Sequence, residues 1–271
     1  MDVGILGPLR IRVHGQSVVP SAAKPRKILA LLALGAGRMV RVEDLVEELW
    51  EQSPPRSAMT TLQTYIMQLR NLLRRAGAGC GTSVDPKDVL ETRTGGYRLN
   101  LDGGSRDIDA FDRFARMGYD ALKTGDPHTA RHWLRTALDL WCGSALEDVM
   151  AGPILQGKVV RLHEARLSVL EQRITADLQL ERYFELTGEL TELASQHPLN
   201  EKFHEQLMVV LHRTGRRSQA LEVYQRLRGN LVEQLGMEPA APLRRLQQAL
   251  LHSDSDVFDS SVRIPVASQT F

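Results

Sequence analysis

The chain has 271 residues, 42% of them hydrophobic and 25% charged, with a formal net charge of +1. That composition excludes a disordered polymer. No run approaches the roughly 20 apolar residues of a membrane span, and an acid at Asp2 without a basic start makes a poor secretion signal. The charge is unevenly spread: residues 1–101 carry 14 Lys and Arg against 9 Asp and Glu, and the remainder carries 20 against 24. A basic front and an acidic back point to two domains with different partners.

In chain order, residues 3–19, "VGILGPLRIRVHGQSVV", alternate apolar and polar in short runs broken by Gly and Pro, which predicts strands joined by turns. "SAAKPRKILALLALGAG" predicts a buried helix capped by Ser21 and ending near residues 35–37. "VRVEDLVEELW" places Val42, Leu45, Val46 and Leu49 on one face of a second helix. A third helix begins after Pro55 and stops at Gly77. The glycine-rich stretch "AGAGCG" reads as a flexible loop, and "VLETRTGGYRLNL" as a β-hairpin turning at Thr94, Gly95 and Gly96. Strands, three helices and a hairpin in this order predict a winged helix-turn-helix.

The third helix carries the functional signal. At 100° per residue, Leu62, Ile66, Leu69 and Leu73 form its buried face. Opposite lie Ser57, Thr60, Thr64, Met67, Gln68, Asn71 and Arg75, with Arg70 and Arg74 to one side. No acid stands between Glu51 and Asp85. A routine solvated face would mix Glu with Lys. This one offers groups suited to base edges, arginines suited to phosphates, and nothing to repel a polyanion.

Asp102, Gly103, Gly104 and Ser105 read as a linker. From Asp107 to His252 the pattern is helical, and residues 253–271 look like a loose tail. The back half repeats. Ala130, Leu134 and Ala137 align with Leu186, Leu190 and Leu193, and with Ala220, Tyr224 and Leu227. The last two sets lie 34 residues apart, the period of a tetratricopeptide repeat. Gly125 and Gly215 precede their sets by five residues; Glu181 stands where the middle copy would have Gly. The first interval is 56, which requires an insertion.

"TLQTYIMQLRNLL", the "LVEELW" before it and "TRTGGYRLNL" after it resemble the OmpR-type winged helix. "TALDLWCGSALEDV" and the long run "HPLNEKFHEQLMVVLHRTGRRSQALEVYQRLRGNLVEQLGMEP" resemble the bacterial transcriptional activation domain. In this order the two resemble the SARP family, the antibiotic-regulatory activators of actinobacteria, over residues 3–252. The resemblance implies a mainly α chain with a small β component: a winged helix over 1–104, a tetratricopeptide-like activation domain over 105–252 and a tail over 253–271. It implies an activator of a secondary-metabolite cluster that binds direct repeats near the −35 region and recruits RNA polymerase through its sigma factor. It places Thr64, Met67, Gln68 and Asn71 on the base-reading face. Backbone contacts fall to Lys24, Arg26, Trp50, Thr60, Arg70, Arg74 and Arg75, and Arg93 becomes the wing arginine. Many relatives have a strong donor where this chain has Met67 and Gln68, so base preference does not transfer. The expected partners are promoter DNA, polymerase holoenzyme and a second copy side by side, in the cytoplasm and away from membranes.

No catalytic constellation competes. "AGAGCG" follows a helix and lacks the Gly-Lys-Ser/Thr ending of a phosphate loop. His204 and His212 lack a third ligand, and Asp107 and Asp109 read as helix-start acids. Cys80 and Cys142, the only two cysteines, form no CxxC and read as reduced cytosolic thiols. The chain is expected to be no enzyme and to hold no metal or cofactor. The alternatives are a helical-repeat interaction adaptor and a repressor on the same DNA surface.

Overall fold

A computed structural model describes residues 1–78, 85–101 and 103–252. Most of the glycine-rich loop with Cys80, the linker residue Asp102 and the expected tail lie outside the described residues. The chain divides into two compact units, one of Met1–Phe114 with Thr136–Leu167, the other of Ala115–Arg135 with residues from Ser168 onward.

In the first unit, β1 (Asp2–Gly4), β2 (Arg10–Val13) and β3 (Gln16–Ser17) form an antiparallel sheet in that order. Helix α1 (Ala23–Leu34) follows, buried along residues 28–33. Its N-cap is Ala22, with no side-chain bond; Ser21, expected as the cap, stands one residue too early. Pro25 fits because the first-turn amides of a helix need no helical acceptor. Next come β4 (Met39–Arg41), α2 (Val42–Trp50), α3 (Ala58–Ala78), α4 (Pro86–Val89), β5 (Leu90–Arg93) and β6 (Gly96–Leu99). The second sheet runs β4-β6-β5, so the expected hairpin gains a third strand. Three residues are too short to show alternation, which is why β4 is silent in the sequence. Gly95 turns the hairpin at φ +81°, and a Cβ on Gly96 would collide with the Val40 carbonyl across the β4–β6 ladder.

Residues well beyond the winged helix complete this unit. Asp107, at the start of α5 (Asp107–Lys123), accepts from the amides of Ile5 (2.7 Å) and Leu6 (2.9 Å) as well as from its neighbour Ile108. It is thus a tie to the strands as well as a helix-start acid. Asp148 accepts from Leu9 at 2.7 Å and pairs with Arg26 at 3.2 Å. Glu48, on α2, is 1% exposed. Its carboxylate accepts from the amides of Gly152 (2.5 Å), Ile154 (3.0 Å) and Leu155 (2.9 Å), at the N-terminus of α7 (Pro153–Gln179). An anion there satisfies donors the helix leaves open and complements its dipole.

The second unit contains the later part of α5, α6 (Pro127–Leu138) up to Arg135, α7 from Ser168, α8 (Tyr183–Gln196), α9 (Glu201–Arg213), α10 (Arg217–Leu235) and α11 (Ala241–His252). The turns α5–α6, α7–α8 and α9–α10 share one bonding pattern. Asp126, Arg182 and Arg216 each donate to the carbonyl five residues back, and Gly125, Glu181 and Gly215 to the one three back. All three of the latter are left-handed, at φ +77°, +56° and +78°. The sequence repeat is therefore a structural one, and its single departure, Glu181, is forced into the conformation glycine adopts freely. The 56-residue interval is accounted for by residues 139–152 and the length of α7. Gly118 lets α5 approach α6, since a Cβ there would overlap the side chain of Leu134.

Two outcomes follow for stability. Glu48→Ala, leaving three amides without their acceptor, should cost about 2–4 kcal/mol in chemical denaturation. Glu181→Gly should stabilise by about 0.5–1 kcal/mol, while Gly215→Ala, with no atom near the added methyl, should destabilise by about 1–2 kcal/mol through backbone strain alone. Equal shifts for the latter two would mean that the turns are not equivalent.

Candidate nucleic-acid interface

Helix α3 is 21 residues long and carries no acid. Leu62, Ile66, Leu69, Leu73 and Ala76 are buried, so the expected apolar face is the one that packs. Met59, Thr60, Gln63, Thr64, Met67, Gln68, Arg74 and Arg75 are exposed, and Asn71 is half-buried. They make one stripe along the helix. Gln63 was absent from the expected set; it stands between Thr60 and Met67 at helical spacing, so the signal was present. Thr64 donates to its own helix, to the Thr60 carbonyl at 2.9 Å, which leaves the hydroxyl oxygen free to accept. Met67 is 56% exposed, an apolar group held in solvent at the middle of the stripe. Within the stripe Arg74 donates to Asn71 at 2.7 Å. Arg75 makes no ion pair among the described residues.

The expected backbone cations divide into two kinds. Arg70 donates twice to the Leu90 carbonyl, at 2.7 and 3.1 Å, and to Thr92 Oγ1 at 2.8 Å, fastening α3 to β5. Arg26 donates to the Pro20 carbonyl at 2.9 Å and pairs with Asp148. Both guanidiniums are engaged inside the unit. Lys24 and Trp50, expected at separate backbone contacts, are brought together: the ammonium lies 5.3 Å from the indole centroid, a cation–π contact. Arg56, exposed in the approach to α3, adds a further cation.

Arg93 stands beside the hairpin turn, half exposed, and pairs with Glu91 at 2.6 Å. Glu91 also receives Arg98 at 2.8 Å and the Asn100 amide. The Arg98 bond foremost, then those of Asn100 and Arg93, lower its pKa from 4.5 to about 2 against the opposing effect of desolvation. The wing is thus preset by an ion cluster, and Arg93 is aimed by it. Among the described residues no group of three or more His, Cys, Asp or Glu could hold a metal, and no helix is long and apolar enough to cross a membrane. Cys142 is an exposed free thiol.

Residues 15–99 match the family described as "Transcriptional regulatory protein, C terminal", and residues 106–251 match "Bacterial transcriptional activator domain". The chain is 46% identical to the regulatory protein DnrI of Streptomyces peucetius over 99% of this chain and 98% of that one. The chain belongs to the SARP family. It is 38% identical to the regulatory protein AfsR of Streptomyces coelicolor over 93% of its length, which spans 24% of that longer protein. The structure of Mycobacterium tuberculosis EmbR in complex with a low affinity phosphopeptide superposes at a TM-score of 0.84, with 29% identity, covering 96% of this chain and 68% of that one. This SARP protein is a transcriptional regulator with an OmpR-type DNA-binding part, and not an enzyme.

Glu91 gives the wing an acid limit. Its folded pKa lies below the ordinary value, so its contribution is complete above about pH 4.5 and is lost as the pH falls through about 2. The Arg93 and Gly95 amide signals should shift with a midpoint near the lower value in an NMR titration, and Glu91→Gln should abolish the shift. A midpoint at the ordinary value would show that the cluster does not form.

Proposed function

We propose that this SARP regulator activates transcription of a secondary-metabolite gene cluster. It binds direct repeats near the −35 region, two copies side by side, and recruits RNA polymerase through the sigma factor. Residues 1–104 are the DNA-binding domain, residues 105–252 the activation domain, and 253–271 a tail; the protein acts in the cytoplasm, where the promoter is. The observation that carries this reading is the acid-free exposed stripe of α3 flanked by unneutralised cations. A helix of that diameter fits the major groove.

In this reading Gln63, Thr64, Gln68 and Asn71 address base edges, and Met67 meets an apolar edge such as a thymine methyl. Thr60, Arg74, Arg75 and the Lys24–Trp50 pair hold phosphates, and Arg93 enters the flanking minor groove. We assign Arg26 and Arg70 to holding the domain together, because their guanidiniums already have acceptors there.

Fluorescence anisotropy on specific and random duplexes separates these roles. Arg75→Ala should weaken both alike and lower the salt slope by about one unit. Gln68→Ala should cost about 1–3 kcal/mol on the specific site and little on random DNA. Equal losses on both duplexes from Gln68→Ala would remove the stripe from the groove. Repeats centred about 10–11 bp apart should bind cooperatively, and inserting half a turn should end the cooperativity. An inverted repeat that binds equally well would overturn the side-by-side arrangement.

A further inference from the structure

The second unit holds a groove of about 350 Å³ between α8, α9 and α10. The α10 wall carries Arg216, Glu222 and Arg226, Thr191 lies on the α8 wall, and Leu207 and His204 come from α9. Arg216 and Arg226 are exposed and make no ion pair among the described residues, whereas Arg228 on the same helix pairs with Glu238 at 2.6 Å. His204 is only 2% exposed although it lines the groove. Its Nδ1 lies 2.8 Å from the Asn200 carbonyl, so Nδ1 carries the proton and donates, leaving Nε2 as an acceptor. Burial, reinforced by Arg226, lowers the pKa of the ring and keeps it neutral. The walls therefore combine two free cations, one anion between them and one buried acceptor.

Spacing decides what fits. Arg216 and Arg226 are ten residues apart, about 15 Å along a helix, and Glu222 falls about 9 Å from Arg216. One small anion cannot meet both arginines. An extended chain rises about 3.3 Å per residue and turns alternate side chains to opposite faces, so acids four residues apart match them, with a basic residue midway on the same face to meet Glu222. We propose that this groove binds an extended acidic segment of a partner protein, its two carboxylates on Arg216 and Arg226 and a basic side chain on Glu222. His204 accepts a backbone or hydroxyl proton from the segment. This contact is independent of the DNA reading.

The test uses the full chain and a fluorescein-labelled, end-capped peptide, SEAKAES, whose acids and lysine share one face and whose core reads the same in both chain directions. It should bind saturably. Arg216→Gln and Arg226→Gln should each weaken it about tenfold, as loss of a charge-assisted bond requires. Arg228→Gln should leave it unchanged, and SQAKAQS should not bind. Both arginines are exposed, so the variants should keep the wild-type melting curve; Arg216→Lys and Arg226→Lys, which keep the charge, should recover part of the affinity. No binding of the peptide up to millimolar concentration would overturn the proposal. So would binding that survives both arginine substitutions, or free glutamate competing as well as the peptide, which would make this a lone-anion site.

Discussion

The first unit depends on a buried charge, the carboxylate of Glu48 on α2. A carboxylate at 1% exposure is tolerated only if its charge is met, and here it is met by backbone amides. Those amides are the open end of α7, which needs an acceptor as much as Glu48 needs donors. The arrangement also admits no side chain at Gly152, whose Cβ would strike Glu48 itself. Because Glu48 lies two residues before Trp50, the same contact fixes the end of α2 from which the chain sets out toward α3. The winged helix is thus positioned in part by residues more than one hundred positions away.

The rest of the first unit uses the same device with different partners. Asp107 and Asp148 both turn carboxylates toward amides of residues 5–9, a stretch between two strands whose donors have no ladder to join. The arginines do the converse, donating to carbonyls that strands and turns leave open. Arg106 reaches the Leu34 carbonyl at the end of α1, as Arg70 reaches Leu90. Arginines in this unit are therefore used in two ways: some satisfy stranded backbone groups, and others face solvent. That distinction separates Arg74 and Arg75 from Arg26 and Arg70.

In the second unit the economy is that of a repeat. Each turn is closed by the same pair of backbone bonds, so the left-handed residue at its centre is imposed by geometry whatever its side chain. Glycine accepts this at two positions and Glu181 bears it as strain at the third. The small and apolar residues that revealed the period, Ala130, Leu134, Ala220 and Leu227 among them, are fully buried at the helix crossings.

What the sequence determined by itself is what depends on local periodicity. The apolar face of α3, the hairpin at Gly95, the repeat period and the acid-free stripe all follow from residues a few positions apart, or at a fixed interval, and each was legible; of the face expected on α2 only Leu45 and Leu49 are buried, and Glu48 joins them. The class of the molecule followed from their order. What only the tertiary structure decided is the use of long polar side chains. Glu48 reads as one more acid on the outer face of α2, and Arg26 and Arg70 read as free cations; nothing within several residues of them says otherwise. Their acceptors and donors are backbone groups brought near by folding, and a backbone group leaves no mark in the sequence. The tertiary structure also decided β4, whose three residues are too few to show a period and become a strand because β6 offers its open edge.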